Sequence, residues 1–332
     1  MNRTTMADVA AKAKVSKTTV SHFINENFSY MGEETKKRIA EAIEELNYNP
    51  NIVAKSLKQK QTMSIGIIVA NILHAFSTEV IRSIEDYAHM LGYHVIVCNA
   101  DDDSEKEKNY ISMLLAKQVD GLIVVPTAGN NALFSSLSDD DYPIVFIDRY
   151  IEDVPIPAFL TDNSLVIKKA YNHLIEKGHK SIGFISQDVS KGITPRIERY
   201  SAYKEMCSAY GITPYLISEK LEKIKDAVLH EIERNRFPKS VIVGNDLALY
   251  EVMRAIKEKE LEIPQDLSLI SIDNVTFTEF FSPGVTVIEQ PTSLLGREAA
   301  DHLFKKINNE RIDYVIKRLK PELVERESVY EL

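Results

Sequence analysis

From residue 64 onward the chain repeats a pattern that few architectures can satisfy: short apolar runs separated by amphipathic stretches of helical length. The runs at 65–69, 94–98, 121–125 and 144–147 are apolar on both alternating sets of side chains, so neither face of such a strand belongs in water. Helical stretches near 76–91, 104–117 and 132–137 lie between them. Strands buried on both faces and joined by helical crossovers form a parallel sheet with helices on each side. The pattern recurs at 181–185, 214–217, 240–243 and 267–272, which predicts two similar α/β lobes. A last strand at 285–288, a turn at Gln290-Pro291 and a helix over 294–308 complete this body. Open parallel sheets bind ligands beyond the carboxyl ends of their strands, so a cleft between two such lobes is the natural site for a small molecule.

The first sixty residues obey a different periodicity. Within 6–25, Val9, Ala10 and Ala13 share one face of a helix, and Val20, Phe23 and Ile24 one face of a second. Lys14-Val15-Ser16 interrupts the two, with Ser16 placed to cap the second helix through its side-chain oxygen. Small Ala10 permits close approach, Val15 fills the turn and Val20 faces inward, which is the spacing of a helix-turn-helix. The outward residues of the second helix are then Lys17, Thr18, Ser21 and His22, all able to hydrogen-bond a base edge or a phosphate. A third helix is predicted over 33–46, with Ile39, Ala42, Ile43 and Leu46 as its buried stripe and Glu33 and Glu34 favouring its dipole. Pro50 stops it. Residues 52–57 span about one and a half helical turns, too short to be helical alone, and read with the polar run 58–62 as a linker that folds on binding.

Charge separates the two regions. The chain carries −9 overall, yet its first sixty residues hold ten Lys and Arg against seven Asp and Glu, so a basic N-terminal part is joined to a body of about −12. At 332 residues and 44% hydrophobic content, two or three domains are expected. Two cysteines, Cys98 and Cys207, offer neither a disulfide framework nor a zinc site. No apolar stretch approaches the length of a membrane span and the N-terminus lacks a signal-peptide core, so a soluble, cytoplasmic, nucleoid-associated protein without membrane partners is expected.

Several motifs now fall into one order. Asp8-Val9-Ala10, Val15-Ser16, Thr19-Val20-Ser21, Asn25, Leu46-Asn47-Tyr48, Pro50-Asn51 and Ala54-Lys55-Ser56-Leu57 occupy the N-terminal part. The body carries Gly121-Leu122-Ile123, Ile147-Asp148-Arg149, Thr161-Asp162-Asn163, Lys177-Gly178-His179, Gly244-Asn245-Asp246, the segment from Pro264 to Ile270, and Ile272-Asp273-Asn274. On these residues the chain resembles the lac repressor (LacI/GalR) family of bacterial transcription regulators over essentially its whole length.

The resemblance implies an all-α helix-turn-helix headpiece over 1–48, a hinge helix and linker over 49–62, and a two-lobed α/β core with parallel sheets, like periplasmic binding proteins, over 63–332. Lobe crossings would place about 63–161 and 290–320 in the first lobe and about 162–289 and 321–332 in the second. It further implies a homodimeric repressor that binds palindromic double-stranded operator DNA and is released by a small sugar-derived inducer. DNA contacts would come from Thr5, Ser16, Lys17, Thr18, Thr19, Ser21, His22 and Asn25, and from Asn51, Ala54, Lys55 and Leu57 of the hinge. Leu57 would enter the minor groove as an apolar wedge; the alternative is that it packs against its own headpiece. Many relatives have Arg at the position of His22, so half-site preference should differ here. Lys14 stands where many such turns have Gly, at a cost of about 1 kcal/mol if that residue needs positive φ.

Effector contacts implied by the family are Phe76, Ser77, Asp148, Arg149, Arg196, Arg199, Asn245 and Asp273. Phe76 would pack on a ligand's apolar face, and Asn245 and Asp273 would take hydroxyls. Three guanidinium groups in one cavity suit a carboxylate or phosphate, which favours a sugar acid such as a hexonate or keto-deoxy sugar acid. The opposing reading of Arg196 is that it faces solvent or pairs with Glu198. Asp101-Asp102-Asp103 reads as a solvated loop rather than a metal cluster, and His179 as structural. No metal, cofactor or catalytic constellation is expected, and with it no enzyme. The alternatives within regulation are a corepressor-dependent protein or a global carbon regulator whose core binds another protein; a more distant one is a sugar-transport binding protein.

Overall fold

The computed structural model describes residues 4–29, 31–48 and 61–332. It divides into two compact units, 1–62 and 63–332. The hinge residues Asn51, Ala54, Lys55 and Leu57 lie outside the described residues.

Three helices make up the described part of the first unit: α1 (Met6–Ala13), α2 (Lys17–Ile24) and α3 (Glu33–Glu45). Thr5 opens α1 with a reciprocal capping box, its backbone N–H donating to Asp8 Oδ2 at 2.8 Å while its hydroxyl accepts from the Asp8 N–H. Lys14 ends the helix in the left-handed conformation, φ 56°, so the turn does require positive φ at a residue with a side chain. Two residues on, Ser16 Oγ accepts from the Thr19 N–H at 3.0 Å and starts α2. Val9, Ala10, Ala13, Val20, Ile39, Ala42 and Tyr48 are buried together, with Val15, Phe23 and Ile24 half-buried around them.

Among the described residues, the second unit holds two six-stranded sheets. The first lobe is built on β1 (Ser64–Val69), β2 (His94–Asn99), β3 (Gly121–Val124), β4 (Ile144–Ile147), β5 (Ala158–Thr161) and β11 (Ile316–Leu319). Their order is β11-β5-β4-β3-β1-β2, every pairing parallel. Packed on it are α4 (Ala75–Met90), α5 (Ser104–Ala116), α6 (Asn131–Asp139) and α12 (Thr292–Ile307). α12 lies close on α4 because Gly296 has no side chain: a Cβ there would stand 2.9 Å from the Val80 carbonyl oxygen and 2.8 Å from Ser83 Cβ.

The second lobe contains β6 (Ile182–Gln187), β7 (Tyr215–Glu219), β8 (Ser240–Val243), β9 (Ser268–Ile272), β10 (Thr286–Glu289) and β12 (Glu322–Val324), ordered β12-β10-β9-β8-β6-β7. Only the β10–β12 pairing is antiparallel. Its helices are α7 (Asn163–Glu176), α8 (Thr194–Tyr210), α9 (Leu221–Glu233), α10 (Asp246–Glu258) and the short α11 (Thr276–Phe280). Each sheet separates two buried apolar layers, as strands apolar on both faces require. The chain passes between lobes after β5, after β10 and after β11. The pattern of apolar runs does not mark β5, β11 and β12. β5 follows Pro155 and Pro157 at once, while β11, Ile-Lys-Arg-Leu, is a polar edge strand.

Candidate functional site

On the headpiece, Lys17, Thr18, His22, Asn25, Ser16 and Thr5 are exposed, and Thr19 and Ser21 half-buried. Several of these polar atoms already have partners. Ser16 Oγ and Thr19 Oγ1 are 2.8 Å apart, Thr5 is held by Asp8, and Asn25 Nδ2 donates to the Ser21 carbonyl at 2.7 Å. Among the described residues, Lys17, Thr18 and His22 form no hydrogen bond through their side chains and stand out as the outward residues of α2, while Ser16, Thr5 and Asn25 also shape the helix ends.

A cavity lies between the lobes of the second unit. Its walls come from the carboxyl ends of strands, the turns that follow and the first turns of the next helices, where parallel sheets leave room for ligands. From the first lobe come Asn71 and His74 after β1, Phe76 and Ser77 at the start of α4, and Asp148 and Arg149 after β4. The second lobe adds Ile193, Arg196 and Arg199 before and within α8, Asn245 after β8, Asp273 after β9 and Gln290 after β10. All eight residues expected to meet an effector thus line one cavity; Asn71, His74, Ile193 and Gln290 join them without a signal in the sequence pattern.

The two aspartates occupy matching positions. Asp148 follows β4 with φ 65° and Asp273 follows β9 with φ 78°, both in the left-handed region that costs a non-glycine residue about 1 kcal/mol or more. Burial raises the pKa of Asp148, opposed by Arg149 and Arg199. Asp273 is pushed up to about 6 by burial and by neighbouring Asp246, against the pull of Arg199 and of Gln290, whose Nε2 donates to Oδ1 at 2.5 Å. Asp246 is also buried, but the hydrogen bond and charge of His74 outweigh that burial and hold its pKa below the usual value. Across the lobes, His74 Nδ1 and Asp246 Oδ1 are 2.6 Å apart, and the Ala75 N–H donates to Oδ2 at 2.7 Å.

The three arginines are held differently. Arg149 donates to Asp102 Oδ1 at 2.8 Å, so Asp102, in an exposed loop as expected, is also the partner of a cleft cation. Asp103 caps α5 and Asp101 pairs with Lys106; among the described residues no cluster of three or more His, Cys, Asp or Glu could hold a metal. Arg199, buried, donates from Nε to Asn163 Oδ1 and from NH1 to the Gly244 carbonyl, both at 2.8 Å. Arg196 bonds Gln187 Oε1, a neutral partner. Arg196 lines the cavity, as expected of an effector contact, and the opposing pairing with Glu198 is not made, since Glu198 is occupied by Asn163 and Arg318. Burial and the charge of Arg149 lower the pKa of Arg196 to about 10, so it stays cationic at neutral pH.

Asn245 Oδ1 caps α10 by accepting from the Ala248 N–H at 2.9 Å, which commits its oxygen and leaves its amide N–H groups for another acceptor. Two buried polar atoms in the cavity wall have no hydrogen-bond partner, Arg149 Nε and Gln290 Oε1. Buried donors and acceptors are normally satisfied, and both of these belong to residues that line the cavity. No described helix is long and apolar enough to cross a membrane.

Comparison with known proteins places both units. The family description "Bacterial regulatory proteins, lacI family" matches residues 5–51, and "Periplasmic binding protein-like domain" matches 171–329. The probable HTH-type transcriptional regulator EndR of Paenibacillus polymyxa is 41% identical, covering 99% of this chain and 99% of the relative. The HTH-type transcriptional regulator KdgR of Bacillus subtilis is 32% identical, over 93% and 92%. In architecture, a lac repressor dimer bound to operator and the anti-inducer ONPF superposes with a TM-score of 0.88 at 24% identity, covering 99% of this chain and 100% of that one.

Proposed function

The chain belongs to the lacI family of bacterial regulatory proteins, which are DNA-binding transcriptional regulators rather than enzymes, and on that premise we propose that it is a repressor released by a small sugar acid. The observation that carries the choice of ligand is Arg196. It is a guanidinium lining the cavity, bonded to a neutral amide, and among the described residues it forms no ion pair. Asp102, Asp188 and Asp148 act on it only through space, and a ligand carboxylate supplies a directly bonded charge partner. On the same cavity wall Asp148, Asp273, Gln290 and Asn245 present the acceptors and donors that hydroxyl groups need.

DNA recognition falls to α2. Lys17, Thr18 and His22 reach the major groove from an exposed helix face, and two headpieces reading a palindrome require a homodimer. Large apolar side chains facing solvent support that assembly: Leu73 and Met90 at the two ends of α4 and Val97 on the edge strand β2 in the first lobe, Phe280 in the second. Hinge residues Asn51, Ala54, Lys55 and Leu57 complete the reading as minor-groove contacts, with Leu57 the wedge. Release follows if the ligand binds one lobe arrangement more tightly than the other, since equal affinity would switch nothing.

Calorimetric titration of the full chain with D-gluconate, D-galacturonate and 2-keto-3-deoxy-D-gluconate, alongside D-glucose and D-galactose, tests the ligand class. At least one acid should bind and the neutral sugars should not; tight binding of a neutral sugar alone refutes it. A gel shift on the protein's own operator then distinguishes the modes, because an inducer weakens the complex and a corepressor strengthens it.

A further inference from the structure

Behind the cavity wall a chain of polar contacts runs from a cavity residue to the strand where the chain last changes lobes. Arg199, fixed at 2.8 Å to Asn163 Oδ1, begins it. Asn163 is the first residue of α7, just past the first crossing, is 1% exposed, and turns its amide nitrogen to Glu198 Oε2 at 2.8 Å. Glu198, beside Arg199 on α8, accepts from both amino groups of Arg318: Oε2 from NH1 at 2.9 Å and Oε1 from NH2 at 2.6 Å. Arg318 lies on β11 of the first lobe, one residue before the third crossing. Its pair with Glu198 is thus a two-pronged bridge between lobes, and among the described residues the only other ion pair between them is His74–Asp246.

We propose that Glu198 and Arg318 form a clasp that fixes the angle between the lobes, with Asn163 tying that angle to the position of Arg199 in the cavity wall. The geometry gives the reason. Two parallel N–H···O bonds fix both distance and orientation, and a relative shift of about 1 Å takes either beyond hydrogen-bonding range. A lobe rotation therefore breaks both prongs together, which makes the pair a discriminator between orientations rather than a tether that stretches. Glu198 and Arg318 are positioning residues here. Neither the charge nor the shape of the effector enters the argument, so the proposal stands or falls separately from the sugar-acid reading.

The test uses the full chain without effector. Nitroxide labels are placed at two exposed positions, Glu105→Cys in the first lobe and Glu205→Cys in the second, and diluted with excess unlabelled protein so that each dimer carries one labelled protomer. Pulsed electron resonance then reads the interlobe distance. The parent should give one narrow population. Arg318→Met, which keeps the stem but removes both prongs, should populate a second distance at least several-fold above the parent, and Arg318→Lys should fall between them. Lys317→Met is the control, because its neighbouring ion pair with Glu298 stays within one lobe; it should match the parent. A single narrow population in Arg318→Met, or the same broadening in Lys317→Met, overturns the clasp. If Arg318→Met does not fold, Arg318→Lys carries the same decision.

Discussion

Replacing Asp273 with Asn should stabilise the protein at neutral pH, and only there. Burial and the charge of Asp246 raise this carboxyl from 3.8 to about 6. The folded group therefore binds its proton more tightly than the unfolded one. Between about pH 4 and pH 6 the native state holds more protons, and stability falls as pH rises through that window. A shift of about two units, at about 1.4 kcal/mol each, makes the ionised carboxylate cost the fold about 3 kcal/mol above pH 7. Asparagine has no charge to bury and keeps an oxygen for Gln290 Nε2, but it deprives the Asp246 N–H of its acceptor, a loss of about 1 kcal/mol. The net gain is about 2 kcal/mol at pH 7.5, or about 5 °C in Tm for a body of this size, and it vanishes or reverses near pH 4. Asp246, held below its usual pKa, contributes stability that is lost only as pH falls below about 4, outside the window. Differential scanning calorimetry of parent and variant at pH 5, 6, 7 and 8 reads the difference directly. A stability gap that stays constant across that range refutes the reasoning. The same variant should bind effector more weakly, because a hydroxyl loses a charged acceptor.

Three further outcomes follow from the packing. Lys14→Gly should stabilise the headpiece by about 1 kcal/mol by relieving a left-handed backbone at φ 56°, seen as a higher headpiece melting temperature; an unchanged or lower one contradicts the strain. Ser16→Ala removes the α2 cap and should destabilise the same unit by about 1 kcal/mol, while the melting of 63–332 stays where it was. Phe134 is fully buried with its ring 5.0 Å from that of Phe146, so Phe134→Ala should cost about 3–5 kcal/mol by chemical denaturation of the body and leave the headpiece transition unmoved.

What could be read from the residues alone depended on range. The headpiece was legible because its signals lie within a few positions of one another: Ser16 caps Thr19, Ala10 and Val20 meet across a three-residue turn, and Lys14 occupies the position that forces positive φ. Most strands, the edge strands β2 and β7 included, were legible for a related reason, being short apolar runs set between helical stretches. β5, β11 and β12 were not: β11 alternates toward water and reads as loop, and β5, inside its sheet, directly follows Pro155 and Pro157. At the cleft, family likeness identified residues that spacing never would, because they gather from distant parts of the chain, Phe76 and Ser77 from one lobe and Asn245 and Asp273 from the other. Likeness also had limits. It pointed to Arg196 without revealing Gln187 as its partner, and gave no hint that Glu198 faces Arg318 across 120 positions.

The threefold passage of the chain between lobes also sets an order of manufacture. The headpiece is complete once some sixty residues exist, but the first lobe waits for β11 at Ile316–Leu319 and the second for β12 at Glu322–Val324. At about 5–20 residues per second, the nascent chain carries a finished reading head for roughly 13–50 seconds before either half of its sensor can close. During that interval nothing yet built can respond to a metabolite. A chain truncated anywhere between residues 62 and 316 would retain the reading head and lack both finished lobes, so termination in that span yields a headpiece that no ligand can switch.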